Sequence, residues 1–222
     1  MIPERRVDGG TRDASPSDMT TQETVGRFVP RETAVPVEDG DLERWEIEPR
    51  DSRLGFVLRH LIVSQIPGHF GRWGGTLFLD RRQPWLSSVH VWVELASIDT
   101  DSLERDEHIR SVEFLDVARF PRAEFKSSSI EPHGKALVIR GRLQLHGITH
   151  DLDLEVEPPA ESGGGVRDVY QVRGRLDRQA YGLRWNQDLD FGGVVVGDEI
   201  EIKARVRVAR REGDVTASLR GQ

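Results

Sequence analysis

From Trp45 onward the chain alternates apolar and polar residues in short runs, the pattern of half-buried β-strands. In WEIEPRDSRLGFVLRH the apolar positions Trp45, Ile47, Leu54, Phe56 and Leu58 predict a strand broken at Pro49. In LIVSQIPGHFGRWGGTLFLD, Pro67-Gly68 and Gly74-Gly75 are read as bracketing a turn ahead of a second strand, Thr76–Asp80. The run Ser88–Ala96 puts Val89, Val91, Val93 and Leu95 on one face and His90, Trp92 and Glu94 on the other. A short strand, Phe125–Ile130, and a turn over Glu131–Lys135 follow.

The stretch ALVIRGRLQLHGITHDLDLEVE holds two alternating runs around His146-Gly147-Ile148-Thr149 and predicts a hairpin. Pairing residues whose numbers sum to 295 sets Leu143 opposite Leu152, Gly141 opposite Leu154 and Ile139 opposite Val156, all on one face. A glycine-rich connection from Pro158 to about Arg167 leads to two more strands. Val169–Arg178 places Tyr170, Val172, Gly174 and Leu176 on one face, and Asp198–Ala209 does the same with Ile200, Ile202, Ala204, Val206 and Val208. About eight strands with short connections predict a closed antiparallel barrel wide enough for one small ligand.

One stretch departs from this rhythm. Over Ser97–Phe125, Leu103, Ile109, Val112, Phe114 and Val117 recur at roughly helical spacing among charges, which predicts a helical insert around residues 100–118. Asp99 or Thr100 is the expected cap, and Pro121 the stop. The apolar positions Leu103, Phe114 and Phe120 are expected to form a plug or wall on the barrel's cavity.

Composition narrows the picture. Residues 1–43 lack either hydrophobic period and carry ten acidic and five basic residues, so they read as a disordered polar tail. The folded domain is expected over 44–209, and 210–222 as a polar C-terminal tail. The chain's net charge of −7 argues against nucleic acid or an anionic membrane as the main partner. Cysteine is absent, which excludes disulfides and thiolate metal sites. The N-terminal stretch shows no apolar run of signal-peptide or membrane-span type, so a cytoplasmic location without stable membrane insertion is the expectation.

The chemistry on offer is sparse. Arg105, Asp106 and His108 resemble an acid-base cluster, yet neighbours one and two apart on a helix point in different directions, so a structural role is favoured. His146 and His150 have the spacing of helical metal ligands but fall on the hairpin, and no metal is expected. His150, placed opposite Leu145 near the hairpin end, could touch a ligand's polar head. Ser64 with His60 lacks the glycine context of a nucleophile elbow. The inward faces are expected to line a greasy interior with Phe56, Leu58, Val89, Val91, Val93, Leu143, Leu145, Leu152, Leu154, Ile200 and Ile202. A sugar would need aromatic platforms and convergent polar groups, so a long lipid is the more natural guest.

These residues resemble the YceI-like proteins of bacteria. The likeness rests on Trp45, Ser52, FVLRHLIVS (Phe56–Ser64), Gly68-His69-Phe70, SIDT with RDEHIRS (Ser97–Ser111), Phe114, Phe120-Pro121, GRLQLHGITH (Gly141–His150), Arg178 to Tyr181-Gly182 and VGDEIEIKARV (Val196–Val206). It spans about residues 45–208, with Asp51 and Tyr181 standing where members often carry His and Phe. The resemblance implies an all-β fold, an extended eight-stranded antiparallel lipocalin-like barrel with a helix. It also implies non-catalytic binding, storage or transport of a polyisoprenoid, isoprenoid quinone or fatty amide, without a cofactor. The expected partner is thus a long-chain isoprenoid or acyl lipid, and a homodimer stays open. Two alternatives stand beside this reading: an enzyme acting on a small lipid through Arg105, Asp106, His108 or His150, and a structural module recruited through its N-terminal tail.

Overall fold

The computed structural model describes residues 42–60, 64–80, 82–159, 165–185 and 196–211. Among them the alternating runs become the strands β1 (Glu43–Ile47), β2 (Arg53–His60), β3 (Ser64–Phe70), β4 (Trp73–Leu79), β5 (Ser88–Glu94) and β6 (Ile98–Asp99), then the helix α1 (Leu103–Arg110). The second half supplies β7 (Arg122–His133), β8 (Ala136–Leu145), β9 (Ile148–Glu157), β10 (Arg167–Asp177) and β11 (Val196–Arg210). The expected tail residues up to 41 and from 212, and the side chains of His60 and Ser64, lie outside the described residues.

Eight strands close an antiparallel ring in the order β1, β4, β5, β7, β8, β9, β10, β11, with β11 returning to β1 through Ile47↔Val208 and Trp45↔Arg210. The barrel is extended at one end. There β11 pairs with β2 over Ile200↔Leu58 to Arg205↔Arg53, β2 pairs with β3, and β3 with the short β6. β1 and β2 therefore lie end to end along one long strand, separated by a 3-10 turn at Pro49–Asp51.

Two serines mend the two breaks this creates. Ser52 Oγ donates to the Glu48 carbonyl at 2.8 Å and accepts the Arg207 N–H at 2.8 Å, replacing the ladder bonds that the turn removes. Across the barrel wall, between β3 and β4, Ser97 Oγ accepts from Arg72 N at 3.0 Å and donates to the Glu94 carbonyl at 2.6 Å. Both serines belong to stretches that the sequence singled out, and both act on backbone.

The hairpin register needs correction. β8 and β9 pair Leu145↔Ile148, Leu143↔His150, Gly141↔Leu152 and Ile139↔Leu154, two residues from the expected register. The cause is a tighter turn: His146 (φ 52°) and Gly147 (φ 74°) both occupy the left-handed region. That two-residue geometry matches the twist of the flanking strands. A slip of two preserves the faces, so the apolar side is unchanged. His150 consequently faces Leu143 rather than Leu145.

The chain turns between Pro67-Gly68 and Gly74-Gly75, at Gly71-Arg72, and β4 begins at Trp73; the turn does not include Pro67 and Gly68. They sit inside β3, opposite Val57 and Phe56, and β3 meets β6 only through His69 and Phe70. The missing N–H of Pro67 thus interrupts no second ladder. Gly68 is required by contact, because a Cβ there would fall 2.3 Å from the Phe56 ring. The helix is also shorter than expected, since residues 111–119 form consecutive turns. Its cap is Ser102, whose side chain accepts from Arg105 N, rather than Asp99 or Thr100.

Candidate ligand cavity

The inward faces of the ring do not fill it. A cavity of about 770 Å³ runs through the barrel, lined by side chains from every strand of the closed ring and from β2 and β3. Of the residues expected inside, Phe56, Leu58, Val89, Val91, Val93, Phe114, Leu143, Leu145, Leu152, Leu154, Ile200 and Ile202 all line it. Alternation brings them together because every second residue of a closed antiparallel sheet points to the axis.

Three expected residues lie elsewhere. Leu103 is 72% exposed, because the first turn of α1 lies on the surface. Phe120 packs outside the cavity beneath the β8–β9 turn, edge-on to the His146 ring with centroids 4.6 Å apart. His150 shares the inward parity of Leu152, but β9 has by then reached the rim. Its Nε2 lies 3.0 Å from the Ala180 carbonyl, and its ring stands edge-on to Tyr181.

One end of the cavity is covered by α1, the turns after it and the segment 178–185. Leu95, Ile98, Leu115, Tyr181 and Leu183 form the buried cluster there, with Ile109, Phe114 and Val117 packed against it. Charged side chains hold this cover in place by bonding backbone. Asp106, 5% exposed, accepts from Thr100 N at 3.0 Å and from Thr100 Oγ1 at 2.6 Å. Arg105 Nε donates back to Thr100 Oγ1 at 2.8 Å, and Arg110 reaches the carbonyls of Ala96 and Ile98. The triplet that resembled an acid-base cluster is thus spread over anchoring contacts.

Arg178 is the largest polar anchor and escaped the sequence reading as a buried charge. It is fully buried and donates to the carbonyls of Leu183, Trp185, Val196 and Gly197 and to Asp198 Oδ1. Burial lowers its pKa from the ordinary guanidinium value, while the carboxylates of Asp198 and Asp177 oppose the shift. Burial likewise raises the Tyr181 phenol, helped by the charge of Asp151. His146 Nδ1, 3.1 Å from the Tyr181 carbonyl, completes the clamp on the 179–181 turn. Among the described residues no cluster of His, Asp and Glu is arranged to hold a metal ion.

Polar side chains reach the cavity near its two ends. Arg105 and His108 do so at the covered end, beside Trp185. Asp80, Ser87 and Asp168 do so at the other, where Asp80 Oδ1 accepts from the backbone of Arg82 and Gln83 and so shapes the turn before Pro84. Asp168 was legible in principle, since it precedes Tyr170 and Val172 on the same face of β10. Trp185 was not, because it lies on no periodic element.

Comparison with known proteins gives a consistent picture. A model of the YceI-like domain matches residues 45–208. Proteins named YceI from Salmonella newport and Salmonella arizonae are each 34% identical over 139 residues, which cover 61% of this chain and 73% of theirs. Among solved structures, Burkholderia cenocepacia BcnA superposes with a TM-score of 0.65 at 20% identity, covering 72% of this chain and 98% of its own. A polyisoprenoid binding domain from Saccharophagus degradans, implicated in plant cell wall breakdown, gives 0.53 at 14% identity, with 77% and 99% covered. At these identities the structural matches establish the fold.

Proposed function

The chain belongs to the YceI-like family, and from that premise we propose that its barrel is a non-catalytic binding site for a long apolar molecule of polyisoprenoid or acyl type. The observation that carries this reading is the continuous apolar cavity of about 770 Å³. With no guest bound, a cavity of this size leaves a large apolar surface facing water, and a guest chain releases that water. Burial contributes about 0.8 kcal/mol per methylene, enough over ten or more methylenes to offset a large share of the cost of association.

The Saccharophagus degradans relative, described as a polyisoprenoid binding domain, supports the same class of guest. A catalytic role finds less support, since Asp106 and Arg105 are engaged with Thr100 and His150 with the Ala180 carbonyl. Native mass spectrometry of protein purified from its own host tests the proposal, with copurifying lipid the expected result. Filling the cavity with Val91→Trp and Leu154→Trp should lower prenyl-chain affinity at least tenfold while the melting temperature holds. Wild-type protein that is repeatedly empty and takes up no prenyl or acyl chain would overturn the reading.

A further inference from the structure

Arg105 is the cationic side chain that reaches the cavity among the described residues, and its guanidinium is half used. Nε and Nη2 bond Thr100, whose hydroxyl in turn donates to Asp106. Nη1 has no acceptor among the described residues, and Arg105 forms no direct ion pair there. Next to it, His108 lines the same end with its ring edge-on to Trp185, centroids 4.4 Å apart, and Nε2 3.1 Å from Glu113 Oε2.

We infer that this corner is a headgroup site, which takes a ligand whose long apolar chain ends in a carbonyl or carboxylate oxygen. The inference rests on the apolar-guest reading and adds an orientation: head against Arg105, tail running toward Leu79 and Leu137. A guanidinium fixed along one edge presents its remaining N–H groups in a set direction, and such donors favour a carbonyl or carboxylate oxygen over an amine, which brings donors of its own. Thr100 couples the single positive charge to Asp106, which suits one acceptor group better than a diphosphate carrying several charges. At the opposite end Asp80 and Asp168 bring carboxylate oxygens, which accept and do not donate, so an oxygen head finds its donor at Arg105.

Binding of palmitic acid, palmitamide and hexadecane to the full-length protein separates head from tail. The acid and the amide should bind at least about tenfold tighter than the alkane. Arg105→Leu and Arg105→Gln should shrink that preference to within about twofold. Because either variant loosens the Thr100 contacts, the wild-type protein supplies a second readout. A nitroxide placed beside the carboxyl should broaden the Trp185 indole resonance, and one at the far end of the chain should broaden the Leu79 and Leu137 methyls. Equal affinities for all three chains, or the reversed broadening pattern, would overturn the headgroup site and leave the apolar guest intact. Failure of every chain to bind would overturn both.

Discussion

Two regions of the barrel are held together by different physics. Where β1, β4 and β11 meet, Trp45, Ile47, Trp73, Leu77 and Val208 form a close-packed apolar cluster, and Trp45 and Val208 are fully buried. At the end covered by α1, charged side chains carry much of the fastening: Arg105, Asp106, Arg110 and Arg178 bond backbone groups or Thr100. The contrast follows from backbone accounting. In the wall, strand ladders already satisfy N–H and C=O groups, so side chains are free to be apolar. The turns after α1 and the 178–185 segment have few ladder partners, so long polar side chains must supply them. A dense run of charge can therefore mark irregular backbone rather than chemistry.

Arg178→Ala should have the largest effect on the covered end. It strips donors from four carbonyls at once and should destabilise the protein by about 3–5 kcal/mol in urea unfolding. If the cover were held by apolar packing alone, the loss would resemble a surface substitution. Trp45→Leu, in the wall, is expected to cost somewhat less, about 2–3 kcal/mol, through lost contact area and a residual cavity. Hydrogen exchange should tell the two variants apart. Arg178→Ala should accelerate exchange near α1 and 178–185, whereas Trp45→Leu should act on β1, β4 and β11.

A smaller effect concerns pH. The folded-state pKa of Tyr181 lies above its unfolded value because burial disfavours the phenolate, with Asp151 adding to the shift. Its contribution to stability is therefore complete below about pH 10, where both states are protonated. As pH rises past that point the unfolded chain ionises first, and the contribution fades until the folded value is passed. Tyr181→Phe should flatten this alkaline limb and leave stability near neutral pH almost unchanged. An identical alkaline limb in the variant would show that another group sets it.

Most of the barrel was legible in the sequence because alternation is a local signal with a single geometric meaning. Val89, Val91 and Val93 could point to one side only, and the apolar neighbours on adjacent runs decided which. The hairpin register was legible modulo two residues, since periodicity fixes the face while turn chemistry fixes the pairing, and His146 in a left-handed conformation is an uncommon choice. The strand breaks at Ser52 and Ser97 were visible only as conspicuous residues, because their hydrogen bonds join positions far apart in the chain. Arg178 was legible only as the next inward position after Leu176, and nothing local marked it as buried. Its acceptors lie in a segment without period and at the start of β11.

The helical insert gives the least perturbing test, and it separates spacing from placement. Leu103, Phe114 and Phe120 look alike in the sequence, as apolar residues amid charge, yet only Phe114 faces the cavity. Leu103 opens α1 one residue after the Ser102 cap and is turned to solvent. Leu103→Ser should therefore change stability by no more than about 0.5 kcal/mol, most of it helix propensity, and leave lipid affinity within twofold. Phe114→Ala removes a ring from the cavity wall beside Trp185 and should weaken lipid binding severalfold. A tenfold loss from Leu103→Ser would mean that the first turn of α1 folds inward around a guest, and the cover would then close on its ligand rather than stand preformed.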